Sequence, residues 1–325
     1  MSGDLGAEVV VRAAASTLQK YRNLELILVG DGDELRGLVD GIIGSDSRLR
    51  IEHASEVVGM SEAPAEALRK KKDSSMRVAI NLVKEGAADA CVSAGNTGAL
   101  MATAKFVLKM LPGIDRPAII AELPAMGGTV HMLDLGANTQ ATAEHLFQYA
   151  VMGSIVAADI RGIVEPRIAL LNIGAEDTKG HDTVKEAAAV LSASTLNYVG
   201  FVEGTDLMSG KTDVVVTDGF SGNVALKTIE GTVAFGKHIL SRAFKRNWIT
   251  KLQAFLASSV LRHLSAEMDS RNYNGATLAG LNGIVIKSHG SADAYAFQHA
   301  IDTAIVEVRN QLPQQIGTLL QKETA

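Results

Sequence analysis

Polar loops that could hold an anion follow five runs of aliphatic residues in this sequence. The loops are Ser93–Gly98, Asp134–Asn138, Asn172–Gly174, Asp218–Asn223 and Lys287–Gly290, and they are rich in Gly, Asn, Ser and Asp. Such loops are typical of the carboxyl ends of buried parallel strands, where open α/β sheets bind their ligands. Glycine lets the backbone approach a ligand, and the helix that follows offers free N–H groups to an anion. The sequence therefore predicts a site for a small anionic substrate.

Two polar side chains in or beside these loops could take part in chemistry. Lys179 can supply a point charge to a phosphate, and Asn223 can donate to a developing oxyanion, which is worth about 3 kcal/mol. Each also has an ordinary explanation, because Lys179 could be a solvated loop residue and Asn223 a helix N-cap. For His289, which follows a predicted strand, a ligand role stays open. The other candidate substrate-binding residues are Gly95, Asn96, Thr97, Gly98, Asn138, Asp218, Gly219, Ser221, Gly222 and Ser288.

The composition limits the classes of function. Hydrophobic residues make up 47% of the 325 residues, which is enough for a sizeable core. Aromatic residues are only 4% and the formal net charge is −5, so we expect no nucleic-acid-binding surface. The single cysteine, Cys91, excludes an intrachain disulfide, and its aliphatic neighbours favour a core position over a nucleophile. Metal-ligand spacing, a secretory signal and a membrane span are not recognisable, so we expect no metal and a cytoplasmic protein.

A turn near the start of the chain imitates a dinucleotide-binding motif. The strand predicted at 24–29 leads into Gly30-Asp-Gly32, and Glu52 follows about 20 residues later. Leu35 stands where that motif needs a small residue, so the helix and strand could not close around a pyrophosphate. The sequence favours a plain strand-to-helix turn over a nucleotide site.

Strands and helices alternate along most of the chain, which predicts right-handed crossovers and a mostly parallel sheet. We expect helices at roughly 61–86, 96–111, 139–160, 182–194 and 221–240. This α/β alternation would place the five polar loops at one end of the sheet, where the parallel strands have their carboxyl ends.

A basic run lies inside the helix predicted at 61–86, for which Ser61 is the expected N-cap. The run consists of Arg69, Lys70, Lys71 and Lys72, and the Asp-Ser-Ser that follows could break the helix. A charge run is usually a solvated helix face. If the helix breaks, the four cations form an exposed corner that could dock an acidic partner, and both interpretations stay open.

An amphipathic segment follows at about 241–264. Its apolar face consists of Phe244, Trp248, Leu252, Phe255 and Leu256, with Lys and Arg on the other face, and a turn is expected near Ser258. Such a segment could pack on the core, form a dimer contact or lie at a membrane surface.

Long motifs in a fixed order give the chain a resemblance to a known family. They are His53–Val57, Arg69–Arg77, Ala90–Leu100, Leu111–Pro117, Asp134–Asn138, Asp213–Lys227, Tyr273–Ala276 and Val285–Asp293. Over nearly its full length the chain resembles the bacterial phosphate acyltransferases, which make acyl phosphate from acyl-acyl carrier protein for phospholipid synthesis.

The resemblance implies a three-layer α/β fold like that of phosphotransacetylases and isocitrate-dehydrogenase-type enzymes. It implies one two-lobed domain over residues 1–325, with a membrane-contacting helical tip at about 241–264. The residues that match Lys179 and Asn223 are needed for activity in the family. A homodimer without a cofactor is implied, attached peripherally to the inner membrane, where an acyl-phosphate-using glycerol-phosphate acyltransferase acts.

The chain departs from the family pattern at its start. The family has a short strand before its first glycine-rich loop, whereas this sequence begins at that loop, and Ser2 and Ala7 replace a glycine and a proline. We therefore expect residues 1–6 to be irregular and one position of the sheet to lack its strand.

The mechanism expected from the resemblance is direct attack of inorganic phosphate on the thioester carbonyl of an acylated carrier protein. The leaving thiol has a pKa near 8.5, so it departs without strong acid assistance, and the enzyme's task is positioning and charge stabilisation. Lys179, the N–H groups of 95–98 and those at the start of the 221–240 helix are expected to hold phosphate. The alternatives are a short-chain phosphotransacetylase that uses coenzyme A, a dehydrogenase and a non-catalytic membrane scaffold.

Overall fold

The computed structural model describes residues 3–176 and 178–324 as an α/β protein. Its strands are β1 (Leu26–Gly30), β2 (Leu49–His53), β3 (Ala90–Ser93), β4 (Ala118–Ala125), β5 (Gly128–Leu133), β6 (Ile168–Leu171), β7 (Tyr198–Val202), β8 (Val214–Val216), β9 (Ala276–Ala279) and β10 (Ile284–Lys287). Its helices are α1 (Ala7–Lys20), α2 (Gly32–Ile42), α3 (Pro64–Lys70), α4 (Ser75–Lys84), α5 (Thr97–Leu108), α6 (Ala143–Arg161), α7 (Asp182–Ala193), α8 (Gly219–Phe244), α9 (Trp248–Leu256), α10 (Ser258–Glu267), α11 (Ala294–Arg309) and α12 (Leu312–Thr324).

Eight strands form one mixed sheet in the order β3-β10-β9-β4-β5-β8-β6-β7. Five of the strand pairs in the structure are parallel, including β3–β10 and β5–β8, as the alternating pattern predicts. The pairs β10–β9, β9–β4 and β4–β5 are antiparallel. Because three antiparallel pairs lie between β10 and β5, these two strands run in opposite directions. The expectation that all five polar loops lie at the same end of the sheet is wrong. The loops after β3 and β10 lie at the end opposite to the loops after β5, β8 and β6.

The first two strands form a separate parallel pair, with Leu26 opposite Leu49. Residues 3–6 have no regular secondary structure, and the Asp4 N–H donates to the Gly290 carbonyl at 2.8 Å. Met1 and Ser2 lie outside the described residues. The described part of the start of the chain is thus irregular but attached to the loop after β10.

Two apolar clusters cover the two faces of the mixed sheet, because neighbouring strand residues point to opposite sides. On β8, Val214 and Val216 join the cluster under α6, α7 and α12, whereas Val215 joins the cluster under α4, α5 and α8. Cys91 is buried in the second cluster, and burial raises the pKa of its thiol to about 12. The three-layer arrangement and the core position of Cys91 are as expected.

The helix predicted at 61–86 is two helices. The chain leaves α3 at Lys71 and starts α4 with Ser74 as N-cap, whose hydroxyl accepts the Arg77 N–H at 3.3 Å. The residue that precedes α3 is Ala63, so Ser61 is not the cap. The break places the basic run at a corner, which is the second of the two open interpretations.

The segment after α8 protrudes from the rest of the chain. None of the side chains of α9 and α10 is buried, and the turn between them falls at Ala257, as expected. Among the described residues, no helix has the length and apolar character that a membrane crossing requires.

The long helix α6 packs closely on the sheet at Gly153. A Cβ atom there would lie 2.6 Å from Val214 Cγ1 and 2.9 Å from Leu133 Cδ2. Both distances are shorter than any ordinary contact, so glycine is required for the approach of α6 to β5 and β8.

We expect Gly153→Ala to lower the free energy of unfolding by about 1–3 kcal/mol, because the added methyl overpacks the core. Gly37→Ala is the matched control, since Gly37 lies inside α2 and an added Cβ meets nothing within 4 Å. Alanine should stabilise that helix by up to about 1 kcal/mol. Urea unfolding measures both, and a Gly153 variant as stable as the control would contradict the packing argument.

Candidate active site

A buried carboxylate shapes the loop after β5. Asp134 Oδ1 accepts the N–H groups of Ile119 at 3.1 Å, Gly136 at 3.1 Å and Ala137 at 2.9 Å. Its Oδ2 accepts the Asn138 N–H at 2.7 Å and the Asn138 side-chain amide at 3.0 Å. Burial raises the pKa of Asp134, while these donors act in the opposite direction. A single side chain thus fixes the backbone from 134 to 138.

The side chain of Asn138 belongs to the same structural network. Its amide also donates to the Pro117 carbonyl at 2.7 Å and to the Tyr149 hydroxyl at 2.9 Å. These acceptors occupy both amide hydrogens, so the predicted role of Asn138 in substrate binding is corrected to one of positioning the loop.

Helix α8 starts in close contact with this loop. The Gly219 N–H donates to the Asn138 carbonyl at 2.8 Å, and a Cβ on Gly222 would lie 1.9 Å from the Asp134 carbonyl oxygen. Gly136 has φ +127°, and a Cβ there would be 3.6 Å from Asn223 Cβ. The glycines are therefore needed for α8 to lie against the loop, and this contact places Asn223 beside Gly136.

The N-terminus of α8 has no N–H group left for a ligand. Asp218 Oδ1 accepts the N–H groups of Phe220 and Ser221, both at 2.9 Å, and Oδ2 accepts the Ser221 hydroxyl. The Gly222 N–H donates to the Asp218 carbonyl, and Gly219 is paired with Asn138. The expectation that these N–H groups hold phosphate is wrong, and the cap is Asp218, not Asn223. Asn223 is exposed in the second turn of the helix, where its amide can meet a substrate.

The N-terminus of α5 is different. Asn96 caps this helix by accepting the Ala99 N–H at 3.0 Å and donates to the carbonyls of Met60 and Glu62. In the described part of the chain, the N–H groups of Thr97 and Gly98 find no partner. Both residues are exposed, so this helix end offers two free donors to an anion.

Two glycines beside the α5 N-terminus have a packing role. A Cβ on Gly98 would be 2.8 Å from Pro64 Cγ, so glycine lets α3 lie against α5. The Gly95 N–H donates to the Ser93 hydroxyl at 3.2 Å. Gly95 therefore shapes the loop, while Gly98 also presents its N–H to solvent.

The loop after β10 joins that after β3. The Ser288 N–H donates to the Ser93 carbonyl at 2.9 Å, and the fully buried Ser288 hydroxyl accepts the Asn274 amide at 2.8 Å. Ser288 is thus a structural residue rather than a substrate ligand. His289 is exposed, and its Nδ1 lies 2.8 Å from the Ser291 hydroxyl, which leaves Nε2 accessible.

Lys287 is a candidate that sequence reasoning missed. It is the last residue of β10 and is half-buried, and its ammonium donates to the Ser288 carbonyl. Burial lowers the pKa of Lys287 to about 8, with Asp4 acting to raise it and Lys227 to lower it. Lys227, whose charge acts on Lys287, lies one turn after Asn223 on α8. A lysine that ends an otherwise aliphatic strand is the signal that could have found it.

Lys179 lies in the loop that follows β6, at the end of the sheet where the parallel strand β8 also ends. Its side chain is exposed and passes Gly174, where an added Cβ would be 3.0 Å from Lys179 Cγ, and its carbonyl accepts the Asn172 amide at 3.2 Å. Among the described residues no carboxylate pairs with its ammonium. The loop therefore presents a cation at the same end of the sheet as the start of α8.

The predicted site residues thus form two groups. The first consists of the α5 N-terminus with His289, to which the structure adds Lys287, and the second of Asn223 and Lys179. One apolar cluster includes residues near both groups, and it contains Leu100 on α5, Leu135 in the loop after β5, and Ala225 and Leu226 on α8. The structure therefore divides the predicted site residues between the two ends of the sheet, rather than placing five loops at one end.

The glycine turn after β1 carries no comparable site. Asp31 accepts the N–H groups of Asp33 and Glu34, and Gly32 N–H donates to His53 Nδ1 at 3.1 Å. Leu35 is buried in the core. The N–H groups that would meet a pyrophosphate are occupied, so the plain strand-to-helix turn is the better description.

The basic corner is partly neutralised by its neighbours. Lys70 pairs with Glu66 at 2.5 Å, and Lys71 pairs with Glu62 at 2.9 Å. Arg69 and Lys72 are exposed at the same corner. The part of this corner that is free to meet a partner is therefore smaller than the sequence suggests.

The predicted membrane-contacting residues are exposed, apart from one. Trp248 is 74% exposed, and Leu252, Phe255 and Leu256 are exposed on α9, while Phe244 is half-buried. Packing of this segment on the core of its own chain is thereby excluded, so a second subunit and a membrane surface remain. No group of three His, Cys, Asp or Glu residues suited to a metal occurs within the described ranges.

Comparison with known proteins gives the family. The family model described as "Fatty acid synthesis protein" matches residues 1–315. The phosphate acyltransferase of Nitrosococcus oceani is 57% identical over 324 residues, which cover 99% of this chain and 95% of that one. That of Alkalilimnicola ehrlichii is 56% identical over 322 residues, which cover 99% and 94%.

The fold has a counterpart among solved structures. A phosphotransacetylase from Streptococcus pyogenes superposes with a TM-score of 0.64 at 21% identity, over 94% of this chain and 92% of that one. The shared fold agrees with the one expected from the sequence motifs. With the full-length identity to the curated relatives, it leads to one conclusion: the chain belongs to the phosphate acyltransferase family and is an acyltransferase of lipid synthesis.

Proposed function

We propose that this enzyme transfers a fatty acyl group from acyl-acyl carrier protein to inorganic phosphate, giving acyl phosphate for phospholipid synthesis. Family membership supports the acyltransferase class. The observation that carries the phosphate step is the pair of free N–H groups at Thr97 and Gly98, close to the strand that ends in Lys287. Assay of the purified protein with acyl-carrier protein and phosphate, scored for acyl phosphate, tests the proposal.

In the proposed reaction, a phosphate oxygen attacks the thioester carbonyl carbon and the carbon–sulfur bond then breaks. The thiol leaves as a thiolate and takes a proton from solvent, so no enzyme nucleophile is needed. The α5 N-terminus, Lys287 and Lys179 would hold the phosphate oxygens, and the exposed amide of Asn223 would donate to the carbonyl oxygen as it becomes an oxyanion. The rate gain comes from positioning and charge stabilisation.

A short-chain phosphotransacetylase that uses coenzyme A is the second candidate. The fold shared with the Streptococcus pyogenes phosphotransacetylase is compatible with it. The basic corner at Arg69–Lys72 would serve either substrate, because a carrier protein is acidic and coenzyme A carries several phosphate charges. A panel of acyl-carrier protein and acyl-coenzyme A substrates separates the two.

We further propose a homodimer of two-lobed chains, attached to the inner membrane through the tip formed by α9 and α10. Exposed apolar side chains of α8, among them Phe220, Val224 and Phe235, support a subunit contact. The exposed Trp248 beside Lys245 and Arg246 supports contact with an anionic membrane surface. Acyl phosphate would then form near the membrane acyltransferase that passes it to glycerol phosphate.

Lys179→Ala and Asn223→Ala should each lower turnover at least about a hundredfold, because each removes a group that stabilises developing charge. Asn223→Asp keeps the size but loses the donor and should be equally impaired. Lys185→Ala, which changes a lysine on α7, is the control and should be near normal. Acyl phosphate formation by folded variants measures the effect, and near-normal turnover of either alanine variant removes that residue from the proposed site.

The phosphate KM should rise as the pH increases through about 8, because Lys287 then loses its charge. Phosphate is already largely a dianion in that range, so its own titration contributes little. Lys287→Arg stays charged and should flatten the rise, whereas Lys287→Met should show a high KM throughout. Asp4, Lys227 and its partner Glu230 face or adjoin this lysine and are unchanged in these variants. An identical pH profile of phosphate KM in all three proteins would exclude Lys287 from phosphate binding.

Trp248→Glu combined with Phe255→Glu should release the protein from anionic liposomes while activity in solution persists. The physical reason is that two carboxylates replace exposed apolar side chains that would enter the membrane interface. Val164→Glu with Val190→Glu, exposed elsewhere, adds the same charge as a control. Co-sedimentation with vesicles measures binding, and loss of a dimer with vesicle binding intact would assign the tip to a subunit contact.

A further inference from the structure

An exposed aromatic ring near the end of α5 has two cations close to it. Phe106 is 52% exposed, the Arg77 guanidinium lies 5.1 Å from the ring centroid, and the Lys109 ammonium lies 4.8 Å from it. Cations on a ring face are attracted by its quadrupole, so both side chains are oriented by the ring. An apolar surface with two ordered cations beside it is thus present before any partner arrives.

The surrounding helices are strongly basic. Residues 64–84 and 97–109 contain eight Lys and Arg residues and only two Asp and Glu residues, whereas the whole chain has a formal net charge of −5. Lys105 and Lys109 are exposed and reach no carboxylate in the described part of the chain. The contact of Phe106 with Arg77 places α4, which follows the Arg69–Lys72 corner, against the end of α5.

This basic surface and the proposed phosphate site share one helix. Phe106 lies nine residues after Thr97, which is about 14 Å along the axis of α5 at 1.5 Å per residue. A carrier protein holds its acyl thioester on a long flexible arm. A carrier bound at the end of α5 would therefore have its thioester within reach of the free N–H groups at the start of the same helix.

We propose that Phe106, ordered by Arg77 and Lys109, is the anchor on which the acidic acyl carrier protein docks. An apolar side chain of the carrier would cover the ring, and its carboxylates would meet Lys105, Lys109 and Arg77, with Arg69 and Lys72 at the rim. A buried aromatic with charges around it is the usual form of an interface hot spot. The inference rests on the proposed function and moves the centre of docking from the partly neutralised corner to α5.

The test is steady-state kinetics together with equilibrium binding of fluorescently labelled acyl-carrier protein. Phe106→Ala should raise the KM for acyl-carrier protein at least tenfold, with kcat within twofold and the phosphate KM unchanged. Phe106→Trp keeps the aromatic face and should be near wild type, whereas Phe106→Leu keeps only apolar area and should lose part of the affinity. Val190→Ala, an exposed apolar residue on α7, is the matched control.

Wild-type carrier affinity in Phe106→Ala, or an equal rise in both KM values, would overturn the inference. If Phe106→Ala does not fold, Lys105→Glu with Lys109→Glu must show the same selective rise, and its absence is equally decisive. A wild-type protein that makes no acyl phosphate refutes the proposed function instead. The binding measurement still decides the docking surface in that case.

Discussion

The carboxylate of Asp134 is the interaction on which the site depends. It is buried at the end of β5, where an ionised group is costly, and five hydrogen bonds from neighbouring N–H groups compensate for that cost. Those bonds fix the loop through Asn138, and the loop carbonyls receive the start of α8 so closely that only glycine fits at Gly222. The position of Asn223 follows from this contact, because it stands one residue further along the helix.

The reversal of strand direction determines how the candidate site is built. Because β9 and β4 lie between β10 and β5, the loops that lead to the α5 N-terminus and to Asn223 leave opposite ends of one sheet. Lys227, near the start of α8, contributes to the lowered pKa of Lys287. The anion-attracting groups therefore come from both ends of the sheet rather than from a single row of parallel strand ends.

Much of this fold could be predicted from the sequence, because aliphatic runs and the glycine loops after them mark strands such as β3 and β8. The strand directions could not, since the pairing partners of β4 and β9 lie far apart in the chain. Residue type alone also gave no sign that the Asn138 amide donates to the Pro117 carbonyl and the Asp134 carboxylate, or that the Asp218 carboxylate accepts the N–H groups of its own helix. Lys287 was missed for the opposite reason. Its lowered pKa arises from burial, for which its place at the end of an aliphatic strand is the sole sequence signal.

The length of α8 has a mechanical consequence. This helix runs without interruption through 26 residues, about 39 Å, from the Asp134 loop to the protruding tip. The turn that carries Asn223 and the base of the tip are therefore parts of one continuous helix. A displacement of the tip is transmitted along α8 to the contact between Gly222 and the Asp134 loop, which holds Asn223 in place.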